Sequence, residues 1–311
     1  MKVRVSNIAF SKNSYLTDLL QQEFPGSLIN DSAVRMNDDD LIEFFFDAEA
    51  VIVGLEKIDP HLLDRLPSLR MIAKFGVGLD NIDIKACKER NISVGWTSGV
   101  NRRSVAEMVI GFMITLCRNL YVTSNQLKEL KWNKSGGVQL TGKTIGIIGL
   151  GNIGKEVVQL LAPFKCKILV NDILDISDYA AKNNLETCSL NRLFIESDFI
   201  SIHTPLTEST RNLINLDVLK SMKSNAFLIN TARGGIVNES DLIFALRNEI
   251  IAGAALDVYD PEPPTSKELL CIPNLICTPH TGGNSYEAVV AMGLSAIEHL
   301  INYKDNKLGS K

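Results

Sequence analysis

Short apolar runs alternate with amphipathic segments along most of the chain. In the first hundred residues the apolar runs have the length of β-strands, and the segments between them have helical periodicity. Such alternation predicts a parallel sheet covered by helices, that is, an α/β unit. The predicted strands are residues 3–10, 27–30, 50–55, 70–74 and 92–96, and the predicted helices are residues 14–23, 39–46, a helix opened by Asp59 and Pro60, and 81–90.

A second α/β unit is predicted further along the chain. A helix over residues 104–118 comes first, and because it is apolar almost all round we expect it to be buried between domains or against another subunit. Apolar strands then recur at residues 144–148, 199–203, 226–230, 252–258 and 275–278. Two Rossmann- or flavodoxin-like domains with a cleft between them are therefore expected.

The last helix, predicted over residues 285–301, lies beyond the second α/β run. Its apolar face needs a partner, and the first unit is the expected one. The first domain is then discontinuous and consists of residues 1–98 and 285–311, with residues 99–284 forming the inserted domain. The apolar face is made of Ala288, Val289, Met292, Ile297 and Leu300.

A glycine-rich turn lies between an apolar strand and a helix in the second unit. Gly149 allows the tight turn, Gly151 lets a pyrophosphate approach the backbone, and Gly154 lets helix and strand pack closely. The phosphates would lie at the helix N-terminus, whose free N–H groups favour anions. Asp172 ends the next strand, where a carboxylate accepts hydrogen bonds from ribose hydroxyls and repels a 2′-phosphate. NAD is therefore the predicted cofactor, with Asn152 and Ile153 also at the turn.

Composition narrows the function further. The 311 residues are 45% hydrophobic and 22% charged, which is typical of a globular protein of two domains. A net charge of −4 argues against a nucleic-acid partner. No signal peptide and no run of about 18 apolar residues is apparent, so no membrane association is expected. The six cysteines lack metal-binding spacing, which predicts reduced thiols, a cytoplasmic location and no metal site.

Three polar clusters follow predicted strands of the second unit, at the edge where open parallel sheets bind ligands. The first contains Arg233, whose planar guanidinium suits a carboxylate. The second presents Asp257, Asp260 and Glu262 on a proline-rich loop, and the third contains His280 before a pair of glycines. His203 also follows a strand, and the sequence alone leaves it open as an alternative acid, although a place at the cofactor rim fits it better.

These side chains form a sensible set for reducing a 2-keto acid with NADH. Arg233 would hold the substrate carboxylate and polarise the carbonyl, while His280 would protonate the carbonyl oxygen. Glu262 would pair with His280 and favour its protonated form. The catalytic prediction is therefore Arg233, Glu262 and His280, with Arg233 and His280 also contacting substrate.

Taken together, the motifs resemble the D-isomer-specific 2-hydroxyacid dehydrogenase family over nearly the whole chain. The resemblance implies that Asp257 contacts the nicotinamide amide and that backbone amides of Val77 and Gly78 bind the substrate carboxylate. It also implies a homodimer formed through the helical region after Asn101. Further implied cofactor contacts are His203, Thr204, Pro205, Thr231, Ala232 and Gly282. The motifs are GVGLDNID (76–83), SVAE (104–107), GLGNIG (149–154), HTPLT (203–207), NTARGG (230–235), ALDVYDPEP (255–263) and TPHTGG (278–283).

Within that family the chain is most similar to 3-phosphoglycerate dehydrogenases. The leading substrate prediction is therefore 3-phosphoglycerate, oxidised to 3-phosphohydroxypyruvate at the entry to serine biosynthesis. Two departures oppose it. Glu56 stands where those enzymes commonly carry a phosphate-binding arginine, and no C-terminal regulatory domain follows the last helix. The cations that could compensate are Lys57, Lys74, Arg102 and Arg103, of which Lys74 is predicted to contact substrate.

Three alternatives remain open at this point. The substrate could be an unphosphorylated 2-keto acid such as hydroxypyruvate or glyoxylate. The chain could instead be an NAD(H)-sensing binding protein, because corepressors that resemble the family can retain the same three side chains. Formate or phosphite oxidation is a third alternative, which Glu262 opposes because formate enzymes usually carry an amide there.

Overall fold

The structure is a computed structural model that describes residues 1–32 and 34–309, with side chains described up to residue 306. The chain divides into two compact units, each built on one parallel sheet. The first unit is Met1–Asn101 with Gly283–Lys311, and the second is Arg102–Gly282. The predicted fold class, two α/β domains with parallel sheets, is confirmed. Residues 310 and 311 of the predicted first domain lie outside the described residues.

The first unit has a five-stranded sheet in the order β2-β1-β3-β4-β5. Every residue of the central strands β3 and β4 is buried, because helices cover both faces. One face packs against α1, α2 and α14, and the other against α3, α4 and α5. The strands are β1 Val3–Val5, β2 Leu28–Ile29, β3 Ala50–Val53, β4 Met71–Lys74 and β5 Ser93–Gly95; the helices are α1 Ile8–Ser11, α2 Ser14–Glu23, α3 Asp38–Phe45, α4 Pro60–Asp64, α5 Ile84–Glu89 and α14 Tyr286–Gly309.

The second unit has a seven-stranded parallel sheet in the order β12-β11-β10-β9-β6-β7-β8. The strand order reverses between β6 and β9, and such a switch point is where open α/β sheets bind ligands. The strands are β6 Thr144–Ile148, β7 Lys167–Asn171, β8 Glu186–Thr187, β9 Phe199–Ile202, β10 Phe227–Asn230, β11 Gly253–Leu256 and β12 Leu275–Cys277; the helices are α6 Arg102–Cys117, α7 Leu120–Lys128, α8 Asn152–Leu161, α9 Ser177–Lys182, α10 Leu190–Glu196, α11 Leu216–Ser221, α12 Glu239–Arg247 and α13 Lys267–Leu270.

The partner of α6 differs from the prediction. Its buried side chains, among them Val109, Phe112 and Met113, pack within the core of the second unit together with those of α8. The expectation that this helix is buried between domains or against another subunit is therefore wrong for its buried face. The next helix, α7, has no buried residue.

Two element boundaries differ from the prediction by five residues or more. The first strand ends at Val5 instead of residue 10, because the Asn7 side chain accepts a hydrogen bond from the Phe10 N–H (2.9 Å) and caps α1. The last helix continues to Gly309, beyond the predicted end at residue 301.

Among the described residues, no single helix is long and apolar enough to span a bilayer. One pair, α6 and α7, passes such a test only when taken together, and the two helices are bent by 63° relative to each other.

Candidate active site

The glycine turn follows β6 at the switch point of the second sheet. Gly149 has φ +91°, and a Cβ there would lie 2.7 Å from the carbonyl oxygen of His203. A Cβ on Gly154 would lie 2.2 Å from the carbonyl oxygen of Gly149, so α8 packs against the end of β6 only because residue 154 is a glycine. A Cβ on Gly151 would meet no protein atom within 4 Å, which leaves open space above this residue.

The N-terminus of α8 is available to an anion. Gly151 occupies the N-cap position, and no side chain caps the helix. A ten-residue helix presents the positive end of its dipole at such an N-terminus, which favours an anion. The adjacent Asp172 is fixed by two backbone groups, since its carboxylate accepts hydrogen bonds from Leu150 N (2.6 Å) and Leu174 N (2.9 Å).

Buried polar atoms without a partner lie at the ends of β9 and β10. In the part of the chain that the structure describes, His203 Nδ1, Thr204 Oγ1 and Thr231 Oγ1 are buried and make no hydrogen bond. Such atoms are costly unless a ligand or water satisfies them. Together with the uncapped helix and the open space at Gly151, they fit a bound dinucleotide.

His203 is unsuitable as the proton donor. Its Nε2 lies 2.9 Å from Ser201 Oγ, and burial lowers the pKa of its imidazole to about 3. The ring is therefore neutral at neutral pH, and a neutral imidazole is too weak an acid to protonate a substrate carbonyl.

His280 and Glu262 form a hydrogen-bonded pair. The distance between His280 Nδ1 and Glu262 Oε2 is 2.8 Å, and each side chain is partly exposed. His280 has φ +52°, a left-handed conformation that is uncommon for residues other than glycine and is found at functional sites. Asp260, the other carboxylate of this loop, accepts a hydrogen bond from Arg211 instead (3.1 Å).

The charge of Glu262 is stabilised by its surroundings. Burial raises its pKa, but the hydrogen bonds with His280 and with the Tyr259 N–H (3.1 Å), together with a smaller contribution from the positive charge of Arg233, outweigh burial, so the pKa of Glu262 is lowered. The structure therefore brings the three predicted catalytic residues into one electrostatic cluster at the ends of β10, β11 and β12.

The loop that carries Arg233 is held in place by Asn230. The Asn230 side chain donates to the carbonyl of Arg233 (2.8 Å) and accepts from the N–H of Ala232 (3.0 Å). Gly234 allows this loop to lie against the next one, because a Cβ there would be 1.9 Å from the carbonyl oxygen of Tyr259.

Asp257 has a structural contact that the sequence analysis missed. It is buried, and its carboxylate accepts hydrogen bonds from Thr278 Oγ1 (2.6 Å), Thr281 N (2.8 Å) and Gly282 N (2.8 Å). The position of Asp257 directly after a strand marks it as a candidate functional residue. Its hydrogen-bond partners cannot be identified in the same way, because they are more than 20 residues away in the sequence. Asp257 thus fixes the loop on both sides of His280, and the predicted nicotinamide contact stays a prediction.

In the first unit, the loop after β4 carries two free backbone donors. Within the described residues, the N–H groups of Val77 and Gly78 donate to no protein group. These are the amides predicted to bind a substrate carboxylate.

Lys74 and Glu56 are both buried and hydrogen-bonded within the first unit. The Lys74 side chain is only 4% exposed, and its ammonium donates to the carbonyl of Gly54 and to Asn81 Oδ1 (2.6 Å). Glu56 is 8% exposed and accepts from the N–H of Gly54 (2.5 Å). These contacts make Lys74 part of the framework of the first unit and give no support to a role as substrate ligand.

The other cations considered for a phosphate are also paired. Lys57 Nζ lies 2.8 Å from Asp59 Oδ2. Arg102 and Arg103 both contact Glu156, at 3.2 and 3.0 Å, and Arg103 also contacts Glu107 at 2.6 Å.

Comparison with known proteins agrees with this geometry. Residues 110–282 match the family described as D-isomer specific 2-hydroxyacid dehydrogenase, NAD binding domain. A hydroxypyruvate reductase from Thermotoga maritima is 36% identical over 92% of this chain and 96% of its own length. A D-3-phosphoglycerate dehydrogenase from Methanocaldococcus jannaschii is 36% identical over 86% of this chain, which spans only 52% of that relative.

A solved structure has the same fold. It is a putative D-isomer specific 2-hydroxyacid dehydrogenase from Polaromonas sp. JS6 66, with a TM-score of 0.91 and 26% identity over 98% of this chain and 97% of the other. The resemblance inferred from the motifs is confirmed, as is NAD as the cofactor. The chain belongs to the D-isomer-specific 2-hydroxyacid dehydrogenase family and is an NAD-dependent enzyme of that family.

Proposed function

We propose that this enzyme reduces a small, unphosphorylated 2-keto acid to the D-2-hydroxy acid with NADH. The observation that carries the reaction is the hydrogen bond of 2.8 Å between His280 and Glu262, within the electrostatic influence of Arg233. Reduction of a 2-keto acid requires a group that binds the substrate carboxylate and a proton donor for the carbonyl oxygen. Arg233 is suited to the first task, and His280, held by the Glu262 carboxylate, to the second.

Each of the three side chains has a separate task. The Arg233 guanidinium binds the substrate carboxylate through paired hydrogen bonds and polarises the neighbouring carbonyl. His280 donates a proton to the carbonyl oxygen, and Glu262 stabilises the protonated imidazole before that transfer. When bound, NADH supplies the hydride for the carbonyl carbon. In the reverse direction His280 accepts the hydroxyl proton.

We assign the cofactor to the glycine turn and the neighbouring strand ends. The turn and α8 would hold the pyrophosphate, Asp172 the adenosine ribose, and Asp257 the nicotinamide amide. The partnerless atoms of His203, Thr204 and Thr231 support this assignment. The full proposed set is Gly149, Gly151, Asn152, Ile153, Gly154, Asp172, His203, Thr204, Pro205, Thr231, Ala232, Asp257 and Gly282.

We assign substrate binding in part to the first unit. The free N–H groups of Val77 and Gly78 are suited to a carboxylate, because successive backbone amides form anion sites.

The choice of an unphosphorylated substrate rests on the paired cations. A phosphate dianion needs positive charge that is free to approach it, whereas Lys57, Arg102 and Arg103 already pair with carboxylates. Lys74 is buried and engaged, and Glu56 adds a negative charge nearby in the chain. Hydroxypyruvate and glyoxylate are the proposed substrates, and the Thermotoga maritima relative named for hydroxypyruvate supports the first.

3-Phosphoglycerate is the second candidate. The 36% identity to the Methanocaldococcus jannaschii enzyme favours it, and three of the cations lie in exposed pairs that a phosphate could displace. A role in serine biosynthesis follows only from this second candidate.

We also propose a homodimer formed through α7. Four apolar side chains on and after this helix are exposed, and a patch of this kind favours association. We call them the α7 surface: Leu120, Tyr121, Leu127 and Leu130. All six cysteines are free thiols, which supports a reducing compartment such as the cytoplasm.

Replacing Arg233 tests the proposed reaction. Arg233→Ala should lower kcat/KM for hydroxypyruvate by about 1000-fold or more, because both the clamp and the polarising charge are lost. NADH binding, followed by the fluorescence of the nicotinamide, should be unchanged. Arg233→Lys keeps the charge without the paired hydrogen bonds and should recover only part of the loss. Undiminished turnover by Arg233→Ala would remove this residue from the mechanism.

A further inference from the structure

Trp96 contacts the loop that carries the free amides of Val77 and Gly78. It follows β5 directly, and its indole Nε1 donates a hydrogen bond to the carbonyl of Val77 at 2.7 Å. The Val77 carbonyl and the Gly78 N–H belong to the same peptide unit. A hydrogen bond to that carbonyl therefore fixes the plane of the peptide and polarises its N–H.

The backbone next to Trp96 is itself held firmly. The hydroxyl of the following residue, Thr97, lies 2.9 Å from His299 Nε2 and accepts a hydrogen bond from Ser295 Oγ (2.8 Å), both on α14. On the other side, Gly95 lies so close to α14 that a Cβ there would be 2.6 Å from the Cβ of His299. Trp96 thus projects from a rigid junction of β5 and α14.

The contact has the features of a specific hydrogen bond. Trp96 is 38% exposed, so packing alone does not account for a large aromatic ring here. Nothing in the loop's own backbone satisfies the Val77 carbonyl: among the described residues, Trp96 is its one hydrogen-bond donor.

We propose that Trp96 is a positioning residue for substrate binding, whose indole N–H orients the Val77–Gly78 peptide toward the substrate carboxylate. This inference rests on the proposed function, since it assigns the anion to these amides. A phenylalanine at position 96 would keep an aromatic ring but lack the N–H donor, so the Val77–Gly78 peptide would be free to rotate.

The matched variants are Trp96→Phe and Trp132→Phe. Trp132 is the other tryptophan of the chain, is largely exposed, and makes no hydrogen bond through its indole within the described residues. In Trp96→Phe the KM for hydroxypyruvate should rise about 3- to 10-fold, the range expected for one hydrogen bond. The kcat and the KM for NADH should stay within about twofold of wild type, whereas Trp132→Phe should leave all three constants unchanged.

Fluorescence provides a second measurement that does not depend on the Trp96 variant folding. Trp96 is the only tryptophan in Trp132→Phe. With that variant saturated by NAD, addition of oxamate, a nonreducible analogue that carries the same carboxylate, should shift its emission.

The outcomes separate the two proposals. An unchanged KM for hydroxypyruvate in Trp96→Phe would overturn the positioning role while leaving the proposed function intact. The same holds if oxamate does not shift the emission of Trp96 in Trp132→Phe. A loss of kcat together with a lower melting temperature would make Trp96 merely structural. If the wild-type enzyme reduced no 2-keto acid at all, the proposed function would fail and this inference with it.

Discussion

Glu262 is a negative charge held next to His280, the proposed proton donor, and its surroundings keep it ionised. Burial raises its pKa, but the hydrogen bonds with His280 and the Tyr259 N–H and, to a smaller extent, the charge of Arg233 lower it, so the carboxylate remains negative below the usual pH range of a glutamate. In the proposed mechanism this charge lies beside the imidazole that donates the proton, so His280 and Glu262 act as a pair.

Glu262→Gln removes the negative charge but keeps the shape of the side chain and one hydrogen-bonding oxygen. We expect kcat for keto-acid reduction to fall by about 10- to 100-fold, because the amide cannot stabilise the imidazolium. The acidic limb of the wild-type kcat/KM profile should lie below the usual pKa range of a glutamate, because the pKa of Glu262 is lowered, and this limb should be absent from Glu262→Gln. Steady-state rates over a range of acidic and alkaline pH measure both effects.

Asp260→Asn is the control for that experiment. Asp260 lies on the same loop but pairs with Arg211, so its variant should keep the wild-type profile and a rate within about threefold. Equal losses in the two variants would show that the loop's shape, and not the charge of Glu262, matters.

Sequence reasoning identified the side chains after each strand but not their long-range partners. Arg233, Glu262 and His280 stand out because each is a polar residue after an apolar strand. The bonds of Asp257 to Thr278, Thr281 and Gly282, and the burial of Lys74, depend on how distant loops fold together. No local pattern encodes such contacts.

At the scale of elements, cofactor binding depends on how closely α8 approaches β6. Gly154→Ala would place a Cβ 2.2 Å from the Gly149 carbonyl oxygen, so the helix must shift away from the turn. We expect a loss of about 1–3 kcal/mol in unfolding free energy and clearly weaker NADH binding. Chemical denaturation and fluorescence titration measure the two quantities.

Gly111→Ala is the matched helical control. Gly111 lies in α6, is exposed, and a Cβ there meets no atom within 4 Å. Alanine should therefore stabilise the protein by up to about 1 kcal/mol, because it favours the helix. Indistinguishable effects of the two substitutions would contradict the packing argument.

The alternation of strands and helices is predictable because short apolar runs and period-3.6 patterns are local features of the sequence. All five strands predicted in the first unit are present, with ends that differ by one or two residues at most positions. The first strand was predicted too long because the Asn7 cap starts a helix inside an apolar run. The partner of α6 was mispredicted because an apolar face does not specify what covers it.

Charged substitutions in the α7 surface test the proposed homodimer. Leu130, two residues after the end of α7, is 93% exposed, and Leu127 within that helix is also exposed. The double variant Leu127→Glu and Leu130→Asp should halve the mass seen by sedimentation velocity, because charges oppose burial of this surface. Phe244→Glu on α12, also exposed, is the control and should leave the mass unchanged. A wild-type monomer would contradict the proposal.

The proposed preference of the enzyme for an unphosphorylated substrate depends on the pairing of Lys57, Arg102 and Arg103 with carboxylates and on the burial of Lys74 and Glu56. If those pairs persist when substrate binds, none of these four cations is free to bind a phosphate.

The most direct measurement is kcat/KM for hydroxypyruvate and for 3-phosphohydroxypyruvate with NADH, in the same buffer at low and moderate salt. We expect hydroxypyruvate to be preferred by at least about tenfold, which corresponds to about 1.4 kcal/mol. A preference for 3-phosphohydroxypyruvate, weakening as salt is raised, would contradict the account and show that the paired cations open to bind the phosphate.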